Sequence, residues 1–126
     1  AQLPGAAAVL AARPDLERMK IQDRRARATG VVLFGAHEPG QPARVEVRAF
    51  APSCGVEEDP VCGSGNASVA AFQWACGLLP AGGTAYVATQ GRRVRRDGRV
   101  KVQVGADGKV HVGGSCITCV AGRLEL

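Results

Sequence analysis

Apolar and polar positions along this chain fall into short alternating runs, broken once by a stretch with no alternation. Val100, Val102 and Val104 alternate with Arg99, Lys101 and Gln103, the period-two pattern of a strand with one buried face. Val45, Val47 and Ala49 alternate with Arg44, Glu46 and Arg48 in the same way. Residues 43–51 therefore read as a strand with one apolar face. Residues 30–36 read as its neighbour across the turn residues Glu38-Pro39-Gly40-Gln41-Pro42. Further strands are expected at residues 84–89 and around Val94, and residues 109–112 and 116–120 are expected to close the sheet, with Leu124 and Leu126 at the end. Asp97-Gly98 and Asp107-Gly108 are hairpin-turn signals, and residues 53–58 read as a loop. The stretch without alternation is residues 67–79, small and apolar with no formal charge. It predicts a helix from Ala67, capped by Ser64 or Asn66, ending near Gly77 with Pro80 just beyond. A helix apolar almost all round is expected to be buried on every side. Residues 13–20 predict a short surface helix, with Pro14, Asp15 and Glu17 suited to its first turn. Residues 1–13 are Ala-rich without a clear period. The pattern predicts an α+β domain over residues 1–126, a curled sheet wrapped on one central apolar helix.

Composition narrows the class. At 126 residues with 21% charged and 46% hydrophobic positions, the chain is a single small globular domain with a modest core. No apolar run is long enough to span a membrane, and no secretory signal pattern is present. There is no initiator Met, so the chain reads as trimmed or as a piece of a longer protein. Five cysteines make an odd number and no dense disulfide framework, which points to a reducing, cytoplasmic setting. Cys116-Ile117-Thr118-Cys119 has C-x-x-C spacing, but in a strand residues three apart face opposite ways. His37 and His111 are isolated, so no metal site is expected. Arg92, Arg93, Arg95 and Arg96, with Arg99 and Lys101, concentrate positive charge, as do Arg24, Arg25 and Arg27. With few aromatics free to stack on bases, these clusters read as solvated faces rather than a nucleic-acid surface.

Candidate chemistry is concentrated between Glu58 and Cys76. Asp59-Pro60-Val61-Cys62-Gly63-Ser64-Gly65-Asn66 is a tight Gly-rich turn leading into the apolar helix. The first N–H groups of a helix have no partner within it, and the dipole there favours anions. A thiol at a helix N-terminus is more acidic and more nucleophilic than a free one, and Cys62 is placed there, with the Asp59 carboxyl three residues earlier. A carboxylate-binding nest, a thiol and a carboxyl group are thus offered together. The same residues also fit a plain Gly-rich turn with Cys62 as a small buried hydrophobe, and spacing leaves both readings open.

Arg48-Ala49-Phe50-Ala51-Pro52, followed by Gly55-Val56-Glu57-Glu58-Asp59-Pro60-Val61-Cys62-Gly63-Ser64-Gly65-Asn66-Ala67, resembles the signature of the second half of the phenazine-biosynthesis PhzF-like isomerase family. Gln90-Gly91 after a strand, an Arg-rich hairpin, Val112-Gly113-Gly114 and a closing strand ending near Gly122 follow in the same order. The resemblance covers most of the chain from about residue 30. More remotely, the turn resembles that of diaminopimelate epimerase and proline racemase, which carry a catalytic cysteine there; many PhzF-like members have Thr where this chain has Cys62.

The resemblance implies a half of a diaminopimelate epimerase-like fold, here the C-terminal half, with a curled, barrel-like mixed sheet wrapped around one central apolar helix. It implies a cofactor-independent isomerase or epimerase that moves protons on a small carboxylated, amino-acid-like substrate without a metal. Asp59 would orient substrate or relay a proton, Cys62 would be the acid/base, Gly63, Ser64, Gly65 and Asn66 would hold the carboxylate, and Gln90 would line the pocket less directly. The family's first half supplies a catalytic Glu and a Gly-His pair, and neither motif is present. The chain would therefore need a missing N-terminal half or a homodimer partner, in which two Cys62 thiols would face one cleft. The alternative is a non-catalytic ligand-binding or assembly module derived from the family.

Overall fold

The computed structural model describes residues 1–125; Leu126, expected at the end of the sheet, lies outside the described residues. Strands β1 (Val31–Ala36) and β2 (Val45–Ala51) form an antiparallel hairpin, running from Val31 opposite Phe50 to Ala36 opposite Val45. A 3-10 turn, Pro52–Cys54, closes on Gly55 in the left-handed region (φ 82°) and returns the chain as β3 (Val56–Asp59), antiparallel to β2. Helix α3 (Gly63–Ala75) then carries the chain over the sheet to β4 (Thr84–Gln90), which lies parallel to β2 with Glu46 opposite Thr89 and Val47 opposite Gln90. Strands β5 (Gly98–Val104) and β6 (Val110–Gly113) follow as antiparallel neighbours. The sheet order is β1-β2-β4-β5-β6, with β3 added on β2.

This mixed sheet is open, ending at β1 and β6, and does not close into the expected barrel. Helix α3 lies across one face. Phe34, Val45, Val47, Ala88, Val100, Val102 and Val104 from the strands meet Val69 and Ala70 of the helix in the core. The expectation that α3 is buried on every side is corrected. Its buried stripe is Gly65, Asn66, Val69, Ala70 and Gln73, while Phe72 is 45% exposed. An open sheet offers a helix one face to bury against, whatever its hydrophobicity. Gly108 (φ 77°) has no Cβ because one there would sit 2.7 Å from Trp74 Nε1, which lets the β5–β6 turn fold under the indole.

The opposite sheet face is covered at one end. Helix α1 (Ala6–Ala11) packs on β1 and β2 with Val9 fully buried. Strand β2 is therefore buried on both faces, and its charged positions are not solvated as the alternation suggested: Glu46 is 0% and Arg48 5% exposed. Arg48 Nη1 donates to the carbonyls of Val9 (3.1 Å) and Ala12 (2.7 Å), satisfying the end of α1. Its Nε and Nη2 pair with the two Glu58 oxygens at 3.0 and 2.8 Å, the bidentate geometry that suits a buried guanidinium. Helix α2 (Leu16–Ala26) is longer than the sequence suggested; Asp15 caps it by accepting from Arg18 N at 2.9 Å, and Arg27 (φ 53°) ends it.

Five further expectations are corrected. Residues 53–58 are in part strand, since β3 adds to β2 where a loop was expected. Helix α3 starts at Gly63 with Cys62 as its cap, because the Asn66 side chain, a candidate cap, is turned to Cys62 O and Gln90. Val94 lies in a 3-10 turn, Arg92–Val94, between Gly91 (φ 90°) and Arg95 (φ 59°), and Gly98 opens β5 instead of turning a hairpin. Residues 116–120 form no strand; residues 114–125 run on from β6 without a neighbouring strand, leaving Ile117 and Val120 89% exposed and Leu124 83%. Strand-prone residues adopt a ladder only where a partner edge exists, and none among the described residues reaches them. Among the described residues no helix is long and apolar enough to cross a membrane.

Tyr86, the chain's one tyrosine, joins α3 to the sheet by donating its hydroxyl to Gln73 Oε1 at 3.0 Å. Burial raises its phenol above the ordinary 10.0, while the Arg44 guanidinium, 5.8 Å from the ring centroid, pulls the other way. The folded chain therefore holds this proton more tightly than the unfolded chain. Stability from this group is intact below the ordinary value and is lost as pH rises beyond it. Ultraviolet titration is expected to place the Tyr86 midpoint above 10.0, and Arg44→Ala to raise it further. A midpoint at the ordinary value would mean that the hydroxyl is not held in the core.

Candidate active site

The site is built where three elements end together: β3 at Asp59, β4 at Gln90 and α3 at Gly63. Asp59 Oδ1 accepts from Val61 N at 3.0 Å, a local turn that Pro60 reinforces by fixing its own φ. The chain enters the helix through Cys62, whose backbone is extended (φ −107°, ψ 104°). Its sulfur accepts from Gly65 N at 3.2 Å and lies 3.5 Å from Ser64 Oγ. The thiol thus sits over the first turn of a thirteen-residue helix, facing N–H groups that have no acceptor inside the helix.

Gln90 holds this turn from behind. Its Nε2 donates to Asp59 O at 2.7 Å, and its Oε1 accepts from Cys62 N at 3.2 Å and Asn66 Nδ2 at 2.8 Å. Asn66 also donates to Cys62 O at 2.9 Å, leaving its buried Oδ1 without a partner. Gly91 completes the arrangement, because a Cβ there would lie 2.5 Å from Pro60 O.

Asp59, Cys62, Ser64 and Gly65 line one cleft of about 270 Å³, together with Thr29, Gly30, Val32, Ala49, Phe50, Ala51 and Ser68. Gly63 lines a neighbouring cleft with Val61, Asp97 and Cys116 instead. Asn66 and Gln90 are each 1% exposed and line neither, lying behind the turn. Thr29 and Ser68 lie outside the residues that the sequence pattern marked. Ser68 was findable, four residues after Ser64 and so on the same helix face; its hydroxyl donates to Ser64 O at 2.9 Å. Thr29 has no local signal, because only the pairing of β1 with β2 brings it to the cleft. Arg48 and Glu58 were within the quoted motif, but their ion pair, which fixes β3 one residue before Asp59, was not visible in it. A larger cavity of about 530 Å³ lies over β4, β5 and β6 on residues such as Ala85, Lys101 and His111; none of the candidate residues reaches it.

Chemically, the cleft presents one carboxylate, one thiol and a hydroxyl at the positive end of a helix dipole. That set can hold a small carboxylate and move a proton beside it.

Comparison with known proteins agrees with the fold. The family model for PhzC-PhzF, phenazine biosynthesis-like protein, matches residues 1–122. An uncharacterized isomerase of Schizosaccharomyces pombe is 33% identical over 132 residues, which span 99% of this chain and 70% of that protein. An uncharacterized isomerase of Deinococcus radiodurans is 36% identical over 110 residues, 80% of this chain and 34% of that one. The crystal structure of a Bacillus anthracis phenazine biosynthesis protein of the PhzF family superposes with a TM-score of 0.69 at 18% identity, over 88% of this chain and 39% of that one. At that identity the likeness is one of fold. The chain spans most of the first relative, but little more than a third of the other two proteins.

Gln90→Ala would strand the Asp59 carbonyl and two N–H groups, so urea unfolding is expected to show a loss of about 3 kcal/mol. Gly91→Ala is expected to destabilise as well, by pressing on Pro60. A Gln90→Ala protein as stable as the parent would mean that the amide does not hold the turn.

Proposed function

The chain belongs to the PhzC-PhzF family of phenazine biosynthesis-like proteins, and from that premise we propose that it supplies one half of the cleft of a cofactor-independent isomerase or epimerase acting on a small carboxylated, amino-acid-like substrate. The observation that carries this reading is the meeting of Asp59, Cys62, Ser64 and Gly65 in one cleft at the open first turn of α3. Relatives named as isomerases support the reaction class.

In the proposed reaction the substrate carboxylate lies against the first turn of α3, held by the N–H and the hydroxyl of Ser64, while Gly63, which lines the neighbouring cleft, shapes the turn without holding the substrate. A base on the enzyme takes the proton from the carbon next to the carboxylate. The C–H electron pair moves into the carboxylate, giving an enolate-like intermediate whose added charge the helix N–H groups stabilise. A protonated acid returns a proton to the opposite face of that carbon, or to another carbon of the substrate. Cys62 is the acid/base of this half, and Asp59 orients the substrate or relays the proton. Gln90 and Asn66 are positioning residues, since their polar atoms are engaged with the turn. The second acid/base comes from a partner, either a missing N-terminal half or a second copy of this chain. The reaction needs no metal or organic cofactor, and the proposed setting is the cytoplasm.

The test is solvent deuterium exchange. The chain is incubated in D2O with a panel of small amino and carboxylic acids, and loss of the signal from the hydrogen beside the carboxylate is followed by proton NMR. Light scattering on the same sample records whether the chain is a dimer. Catalysed exchange is expected for at least one acid, falling about a hundredfold or more in Cys62→Ala and Asp59→Ala. Exchange unchanged in both variants would remove these residues from the mechanism. A chain that exchanges nothing, either alone or together with the partner it binds, would favour the assembly-module reading.

A further inference from the structure

A second polar cleft lies on the face of the sheet away from α3, and the proposed reaction makes no use of it. Glu46 is 0% exposed. Its Oε2 accepts from the Thr89 hydroxyl at 2.7 Å and lies 3.3 Å from His37 Nε2 and 3.7 Å from Arg92 Nε. Its Oε1 has no partner. A buried carboxylate is costly to fold around unless it is paired, and here all its partners converge on one oxygen. The arrangement fixes His37 and Arg92 at the mouth of a notch of about 180 Å³, lined also by Gln41, Thr89 and Arg99. A water molecule's share of liquid volume is about 30 Å³, so the notch has room for one tetrahedral oxyanion with bound water.

The donors around this notch have spare capacity. Arg92 turns only Nε toward Glu46, and its side chain is 47% exposed. Arg99 meets Asp97 through Nη2 alone, at 3.2 Å, and is 48% exposed. His37 has only Nε2 engaged. Two guanidinium groups, an imidazole and the Gln41 amide therefore face one small space, with Arg93, Arg95 and Arg96 on the adjoining turn adding to the positive field. Planar guanidinium forks suit an oxyanion that can accept several hydrogen bonds at once. We propose that this notch binds a dianionic phosphate group, inorganic phosphate or a phosphomonoester, with Arg92, Arg99 and His37 as its ligands, Glu46 as the buried anchor beside His37 and Arg92, and Asp97 as the partner of Arg99.

The probes are inorganic phosphate and phenyl phosphate, titrated into the whole chain in about 0.15 M salt, where the general field beyond a Debye length is screened. Two-dimensional NMR follows the backbone amides. Both are expected to saturate, moving the amides of Thr89, Arg92 and Arg99 while leaving those of Cys62 to Asn66 in place. Arg92→Ala and Arg99→Ala are each expected to weaken binding about tenfold, as loss of a charge-assisted hydrogen bond would. Arg93→Ala, which removes the same charge outside the notch, should change it by less than about twofold. Both contact residues are half-exposed, and a thermal melt without phosphate confirms that the variants fold. Titration that never saturates would overturn the proposal. So would an Arg93→Ala effect as large as that of Arg92→Ala, or a short oligonucleotide binding through Arg93, Arg95 and Arg96 as much as through Arg92, because either result would mean diffuse attraction and no built site. The exchange assay at Cys62 reads a different face of the sheet, so the two ideas stand or fall separately.

Discussion

The geometry of the candidate site depends on one side-chain amide. Gln90 leaves the end of β4 and meets three groups that no single strand or helix brings together: the last carbonyl of β3, the N–H that leads into α3, and the Asn66 side chain. An amide can do this because it carries a donor and an acceptor on one rigid plane. A carboxylate lacks the donor, and a lysine lacks the acceptor. The amide would be misplaced without the parallel pairing of β2 and β4, which sets Gln90 opposite Val47. The glycines beside it follow from the same constraint. Gly91 lets Pro60 O approach, and Gly98, opposite Gln90, leaves room for Val61 and for Gln90 O. The candidate turn is therefore held by the sheet, and its own sequence supplies only the local bend.

The two buried charges of β2 serve the opposite face in different ways. Arg48 is fully engaged: it closes the end of α1 through two carbonyls and grips Glu58 with two parallel bonds. It ties the N-terminal helix, β2 and β3 together, which makes it a structural rivet. Glu46, two residues earlier, is only half engaged, with one oxygen crowded and the other bare. Removing either partner of a buried pair leaves an uncompensated charge, so both positions are sensitive. Only Glu46 leaves its partners with unused donors at the surface. That difference separates a pair that holds the fold from a cluster that presents a face.

How much of this was legible in the sequence follows from how local each feature is. Strand β5 was legible because its two faces meet different surroundings: Val100, Val102 and Val104 are buried while Arg99, Lys101 and Gln103 are exposed. Strand β2 carries the same alternation and misleads, because α1 covers its second face and turns Glu46 and Arg48 into buried groups. The small, largely apolar and uncharged composition of α3 revealed the helix but not its buried stripe, since nothing in the pattern distinguishes Ala70 from Ala71. At the site, the residues adjacent in sequence, Asp59, Cys62, Ser64 and Gly65, do share a cleft. The contributions that depend on pairing across the sheet, from Gln90 as a clamp and Thr29 as a wall, were beyond any reading of local spacing. Residues 116–120 fail for the converse reason: their composition suits a strand, but a strand needs an edge to join.

The openness of the cleft sets what the proposed chemistry requires of a partner. Proton abstraction beside a carboxylate is slow in water, and stabilising the resulting charge depends on fixed dipoles in a site from which bulk solvent is excluded. This chain supplies the dipoles, at the first turn of α3, and walls from Phe50 and Val32. Ser64 is nonetheless exposed and Cys62 only half-buried. A thiol on one side of a substrate can take or give a proton on that side alone, so inversion at one carbon calls for a second group facing Cys62 across the bound molecule. The partner in the proposed complex must do two things at once: cover the mouth of the cleft near Ser64, and place an acid/base opposite the thiol. A second copy of this chain would meet the second demand with its own Cys62, giving two like groups that exchange roles with the direction of transfer. A different N-terminal half would meet it with a different acid/base and make the two directions unlike.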